Sequence, residues 1–123
     1  MASELPGHYQ QLVTSTMAGD GTGIVSEDAN FITVTSSAAG NFVTLPTGYV
    51  GMRLRGWSTA NGFKFRTASG SSGTINNVNV SGGSAGAAIP ATVYFELDKV
   101  LAAGWILQTR TNLGAVATAI VPA

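Results

Sequence analysis

The sequence has no cysteine, a single histidine and no long apolar run. Without cysteine there is no disulfide, no thiolate nucleophile and no cysteine-ligated zinc, and one histidine cannot supply the paired imidazoles of a common zinc site. No segment reaches the length of about 18 apolar residues that spans a membrane. Residues 1–11 also lack the basic start and apolar stretch of a secretory signal. We therefore expect a protein made and folded in a cytoplasm, with no membrane partner.

Charged residues are also scarce, at 10% of the 123 residues, against about 25% in ordinary soluble proteins. Six acidic and six basic residues cancel, so no overall field attracts nucleic acid. We expect no nucleic-acid partner. The remaining surface must consist of small polar and apolar residues, or be covered by another protein.

Short β-rich segments make up most of the chain. Apolar and polar residues alternate over 31–36, 50–57, 63–67 and 92–98, which is typical of half-buried strands. The pattern predicts an all-β protein: one compact antiparallel β-barrel or β-sandwich, jelly-roll-like, over residues 24–123. Residues 1–23 carry few large apolar groups and are predicted to form an extended N-terminal arm, with one candidate strand over 11–16.

Turn-forming residues separate these segments. Asn61-Gly62 favours a type I′ turn and so predicts a hairpin between the strands on either side. The stretch 67–88 has the composition of a linker, but Ile75, Val78 and Val80 have strand-like spacing and favour a meander of very short strands. The segment 97–105 is predicted to form a hairpin rather than a helical turn.

Candidate catalytic groups are few, and we expect no enzyme and no catalytic, cofactor or metal residues. The lone imidazole, His8, lies in the predicted arm, where it cannot serve as a positioned base. Glu96 and Asp98 lie two apart on one strand face, a spacing that can meet the separation of about 5–9 Å between glycosidase carboxylates. An outward acidic pair facing the basic residues is the favoured interpretation, and an enzyme acting on cell-wall sugars is the alternative. The stretch 19–23 lacks the ligand spacing of a calcium loop and predicts a turn.

The basic residues cluster on two successive predicted strands. Like charges on opposed positions destabilise a sheet, so we expect an acidic strand beside or between them, in a ladder of salt bridges. A basic patch facing a partner and a phosphate site are the alternatives. The predicted charge ladder comprises Arg53, Arg55, Lys64, Arg66, Glu96 and Asp98.

Three aromatic residues, Trp57, Tyr94 and Trp105, are predicted on outward faces. There they would either stack on sugars or pack in an interface between subunits. The scarcity of neighbouring charges favours the interface.

The order of short motifs resembles a known family. The motifs are Leu45-Pro46-Thr47-Gly48, 51–56, Asn61-Gly62-Phe63, Gly73-Thr74-Ile75-Asn76, 88–92, Phe95-Glu96 and Gly104-Trp105. Over about residues 30–121 they resemble small β-rich virion proteins of tailed bacteriophages, capsid decoration (cement) proteins in particular. The resemblance implies a non-enzymatic homotrimer on the capsid surface, bound to the major capsid protein. The alternative is a head or tail fibre module that binds host-surface glycans through Trp57, Tyr94 or Trp105.

This resemblance leads to two sets of expected contacts. The arm is expected to contact the capsid through Leu5, Tyr9, Leu12 and Val13. The oligomer interface is expected to contain Trp57, Trp105, Val116, Ile120 and Val121.

Overall fold

The computed structural model describes residues 9–81, 85–102, 104–111, 120 and 122. These residues form ten strands and one 3-10 turn, Gly21–Gly23. The strands are β1 Tyr9–Thr14, β2 Ala29–Thr35, β3 Phe42–Thr44, β4 Arg53–Ser58, β5 Phe63–Arg66, β6 Thr74–Ile75, β7 Val78–Asn79, β8 Ala87–Ile89, β9 Tyr94–Leu101 and β10 Gly104–Arg110.

Two packed sheets form a β-sandwich. The large sheet has the order β1-β2-β4-β9-β10-β6-β7, and the small sheet has the order β3-β5-β8. Phe63 and Phe65 of the small sheet pack edge-to-face on Phe95 of the large one, with ring centroids 6.0 and 5.1 Å away. The all-β prediction is confirmed in its sandwich form, and the sheets do not close into a barrel.

Strand directions differ from the prediction of an antiparallel fold. Four of the eight pairings are parallel: β1–β2, β2–β4, β3–β5 and β6–β10. From β2 to β5 the chain alternates between the two sheets, so strands two apart return side by side in the same direction. Alternating polarity determines which face of a strand is buried, but not the direction of its neighbour.

The predicted hairpin at Asn61-Gly62 is wrong, because β4 and β5 belong to different sheets. Neither residue has the positive φ that a type I′ turn requires. Asn61 Nδ2 instead donates a hydrogen bond to the Ser36 carbonyl (2.9 Å), and a Cβ on Gly62 would collide with the Ile89 carbonyl. The two residues therefore belong to a connection that crosses between sheets.

The N-terminal segment is not an arm over its described part. β1 pairs with β2 along its whole length, and Val13 is fully buried in the core. Thr16 and Ile24 form bridges to β3. The prediction of an extended arm is therefore wrong for residues 9–23. Few large apolar side chains are needed here, since an edge strand with a single deeply buried residue is held mainly by its backbone hydrogen bonds.

The short-strand and hairpin predictions for the second half are confirmed. β6 and β7 have two residues each and pair antiparallel around Asn76 and Asn77, whose φ values of 50° and 69° are left-handed. Asparagine tolerates that region better than most residues. β9 and β10 form the predicted hairpin, with Leu101 opposite Gly104.

Candidate interaction surfaces

Five strands of the large sheet present one broad surface, here called the outer sheet face. It consists of the side chains of β1, β2, β4, β9 and β10 that point away from the small sheet. One row of this face crosses all five strands in register, near the end of β4 and β10 and the start of β9: Leu12, Thr33, Trp57, Tyr94 and Arg110. Trp57 and Tyr94 are half-buried neighbours, while Leu12 is 83% exposed. Aromatic rings therefore occupy two inner strands at one end of this surface, and an exposed leucine lies on its edge strand.

Besides Arg110 in the aromatic row, charged residues lie in the next two rows, both on the same side of it. Arg53 Nε is 3.2 Å from Asp98 Oδ1, and Arg110 Nε is 3.7 Å from Glu96 Oε1. Arg55 lies opposite Glu96 in the register. Exposed pairs of this kind contribute about 0–1 kcal/mol of stability. Their main effect is to orient the arginine side chains on the outer sheet face.

The acidic pair thus lies next to the arginines of β4, as the alternation predicts. The other half of the charge ladder is wrong, because Lys64 and Arg66 lie on β5 in the small sheet. There the Arg66 guanidinium sits 4.3 Å from the centre of the Phe42 ring and the Lys64 ammonium 5.7 Å from it. Arg66 also donates to the Ala18 carbonyl.

Trp105 does not lie on an outward face, so that prediction is wrong. Its side chain is 1% exposed, and its indole lies so close to Gly48 that an added Cβ would be 3.1 Å from the ring. Trp57 is half-buried, with part of its side chain accessible. Ile120 is half-buried and packs on the core. Val116 and Val121 lie outside the described residues.

The four predicted capsid contacts also differ in whether their side chains are accessible. Val13 is fully buried within this chain and Tyr9 packs against the core, so the prediction is wrong for Val13. Leu12 offers an exposed side chain, on the outer sheet face. Leu5 and the lone imidazole, His8, lie outside the described residues.

A second exposed cluster, here called the apolar tip, lies at one end of the sandwich. It comprises Tyr49, Val50, Val100 and Leu101, which are 64%, 60%, 47% and 63% exposed. The Gly51 amide donates to the Lys99 carbonyl (2.8 Å), which holds the turn before β4 against the end of β9. The sequence analysis missed this cluster, although the successive apolar residues Val100 and Leu101 break the alternation of β9.

Acidic groups elsewhere make structural hydrogen bonds. Glu27 accepts the amides of Thr47 (3.0 Å) and Gly48 (2.9 Å), and Asp20 Oδ1 accepts the Thr16 hydroxyl (3.0 Å). Within the described residues, no three histidine or acidic side chains are placed to share a metal ion. No helix of that part of the chain is long and apolar enough to cross a membrane.

Comparison of the chain with family models, with curated proteins and with solved structures finds no match.

Proposed function

We propose that this chain is a non-enzymatic structural protein of a tailed-phage virion that binds the outer surface of the capsid and stabilises the head. Its partners would be the major capsid protein and other copies of itself in a homotrimer. The order of sequence motifs described above supports this class of protein. The outer sheet face supports the mode of action, which is binding through a broad protein surface.

The single observation that carries the proposal is the composition of that face. Aromatic residues and arginine are enriched at the centres of protein interfaces. Trp57 and Tyr94 lie side by side on two inner strands of the outer sheet face. Arg110 lies in the same row, and Arg55 and Arg53 lie in the next two rows. Strand pairing fixes the backbone under these side chains, and Trp57 and Tyr94 are already half-buried, which limits the conformational entropy that the two rings lose on binding.

The location of the protein on the particle tests the proposal first. Phage particles from a lysate are labelled with an antibody against this chain and gold, and are imaged by electron microscopy. Dense label over the whole head is expected of a many-copy decoration protein. Particles without label, or with label on the tail alone, would overturn the capsid assignment.

A variant pair tests the outer sheet face itself. Trp57→Ala is expected to weaken binding to heads stripped of this protein at least about tenfold, as truncation of a central interface aromatic does. Thr33→Ala, the neighbour of Trp57 in the same row, is the matched control and should change binding less than about twofold. Equal binding by both variants in a co-sedimentation assay would exclude this face as the contact.

The trimer is tested by mass. Light scattering of the purified chain is expected to give three times the chain mass of 12.5 kDa. A monomeric mass at the protein concentrations used for capsid binding would remove the homotrimer from the proposal.

A second function is favoured by the same aromatic pair. Adjacent half-exposed Trp57 and Tyr94 rings could stack on a sugar, as expected of a fibre module that binds host-surface glycans. Binding on a glycan array that is lost in Trp57→Ala, together with label at the tail tip, would replace the capsid proposal. No array signal is expected if the outer sheet face contacts the capsid.

A further inference from the structure

A lysine occupies the last inward-facing position of β9. Val93, Phe95 and Leu97 point into the core, and the same alternation directs Lys99 inward. Its side chain is buried, with the residue 5% exposed. The packing of the sandwich would favour an apolar residue there, so a cation at this position calls for a partner.

The contacts of this cation compensate its charge only in part. Lys99 Nζ donates to the Thr47 carbonyl and lies 5.5 Å from the centre of the Trp105 ring. The ion pairs within the described part of the chain are Arg53–Asp98 and Arg110–Glu96, so no carboxylate there pairs with Lys99. An ammonium has three donors, and a buried charge is ordinarily paired with an opposite charge.

A cavity of about 80 Å³ lies beside this ammonium. Its lining contains three hydroxyl residues, Thr47, Thr67 and Ser71, and apolar residues as well as Lys99. The Gly73 amide donates to Ser71 Oγ (3.2 Å), and that hydroxyl donates to Thr67 Oγ1 (3.3 Å). Because Thr67 accepts this bond, its own proton is available for an acceptor in the cavity. The cavity thus combines a cation with a hydroxyl donor.

The size of the cavity restricts what can enter. Pockets for drug-sized ligands measure about 300–1,000 Å³, so this one admits a group of a few atoms. A carboxylate has that size and accepts hydrogen bonds at both oxygens. It also carries the negative charge that would pair with the ammonium of Lys99.

The surroundings indicate where the carboxylate comes from. Thr47 and Ala102 line the cavity and lie within two residues of Tyr49 and Leu101 of the apolar tip. Large exposed apolar groups around a polar site are typical of protein contacts. A free small acid would leave them uncovered.

We propose that this cavity binds the carboxylate of an acidic side chain on a partner protein. Lys99 Nζ pairs with the carboxylate, the Thr67 hydroxyl donates to it, and the apolar tip covers the residues on either side. The cavity and Lys99 lie on the inner side of β9, away from the outer sheet face, so this site does not depend on the function proposed above.

The two tryptophans provide a reporter and a control for the test. The indole N–H signals of Trp105, beside the cavity, and Trp57, on the outer sheet face, are followed by NMR. Sodium acetate is titrated against sodium chloride at equal ionic strength. Acetate is expected to shift the Trp105 signal saturably, while chloride has no such effect and Trp57 does not respond. A Trp105 signal that moves equally with both salts, or with neither, would overturn the proposal.

Variants assign the response to the proposed groups. Lys99→Met keeps most of the apolar stem and is expected to abolish the acetate response. Lys64→Met removes a lysine charge on the small sheet instead; it is the control and should retain the response. Thr67→Val preserves shape and removes one donor, which should weaken acetate binding at least about fivefold. If Lys99→Met responds like the unaltered protein, the site is not the one proposed.

Two peptides test the protein partner. Acetyl-Leu-Glu-Leu-amide is expected to bind at least about tenfold more tightly than acetate, and acetyl-Leu-Gln-Leu-amide should not shift Trp105. Leu101→Ser should weaken the glutamate peptide while leaving acetate unaffected. Binding of the glutamate peptide no tighter than acetate would show that the site takes free acids, and would overturn the partner-protein assignment.

Discussion

Close approach of the neighbouring strand and of an aromatic ring explains why residue 56 is glycine. Gly56 of β4 is paired with Ile32 of β2 on one side and with Phe95 of β9 on the other. A Cβ at this position would collide with the Ile32 carbonyl oxygen, its nearest neighbour, and would be 2.6 Å from Cζ of the Phe95 ring. The backbone of β2 and the aromatic core therefore occupy the space that any other side chain would need.

Gly56→Ala is expected to lower the free energy of unfolding by about 1–3 kcal/mol, because the core must shift to admit the methyl group. Gly40→Ala is the control, since a Cβ there meets nothing within 4 Å and should change stability by less than about 0.5 kcal/mol. Urea denaturation measures both. Equal midpoints for the two variants would contradict this account of the close approach.

Glu27 stabilises the turn that holds Thr47 and Gly48 beside the cavity. Its two carboxylate oxygens each accept one backbone amide. Glu27→Gln replaces one acceptor oxygen by an NH₂ group and removes the charge. We therefore expect the free energy of unfolding to fall by about 1 kcal/mol. Faster hydrogen exchange of the Gly48 amide should accompany it. The neighbouring Asp28→Asn is the control, and an equal loss there would point to a general charge effect.

At the scale of elements, a side chain replaces part of a strand pairing. β6 pairs with only the first two residues of β10. Beyond them, Asn76 Oδ1 accepts the Leu107 amide (2.9 Å), and Asn76 Nδ2 donates to the carbonyls of Leu107 (3.3 Å) and Ile120 (3.0 Å). One amide side chain thus continues the edge of β10 and ties the C-terminal region to it.

Asn76→Gly is expected to lower the free energy of unfolding by about 1–3 kcal/mol, because the backbone N–H and C=O of Leu107 lose their hydrogen-bond partner. Glycine tolerates the left-handed φ, so the loss is not one of backbone strain. Asn77→Gly is the matched control, since Asn77 is exposed and also left-handed. Hydrogen exchange at the Leu107 amide should accelerate in the first variant alone. Unchanged exchange there would contradict the role of the side chain.

At the scale of the whole molecule, one core joins both sheets. The ring of Phe65 lies 4.8 Å from Phe63 in its own sheet and 5.1 Å from Phe95 in the other, measured between centroids. From β2 to β5 successive strands also alternate between sheets, so neither sheet is a continuous stretch of chain. The two sheets should therefore unfold together.

Phe65→Ala is expected to lower the free energy of unfolding by about 3–5 kcal/mol, as truncation of a buried phenylalanine does. The variant should still unfold in a single transition. Phe31→Ala, on the half-exposed outer sheet face, should cost clearly less. Far-UV circular dichroism and tryptophan fluorescence are expected to give coincident urea midpoints. Separate midpoints would mean that the sheets unfold independently.

Part of the candidate surface was predictable from the sequence, and the rest was not. Alternation along β4 and β9 places Arg53, Arg55, Glu96 and Asp98 outward, and their neighbourhood follows once the two strands pair. The predicted position of Lys64 was wrong. An Asn-Gly pair looks the same in the sequence whether it forms a hairpin or a connection that crosses between sheets. Strand pairing depends on contacts between distant residues, which a local pattern does not contain.

The sequence by itself determined that the chain is all-β and which residues of β4, β5 and β9 face inward, since side-chain direction in a strand follows from a period of two. Only the tertiary structure decided strand order and direction, the burial of Trp105 and the inclusion of residues 9–14 in a sheet. It also decided that Lys99 is buried beside a cavity, because that depends on how the turn around Thr47 closes the end of the sandwich. Such contacts join segments more than 50 residues apart, and they contribute to stability only when both segments are in place.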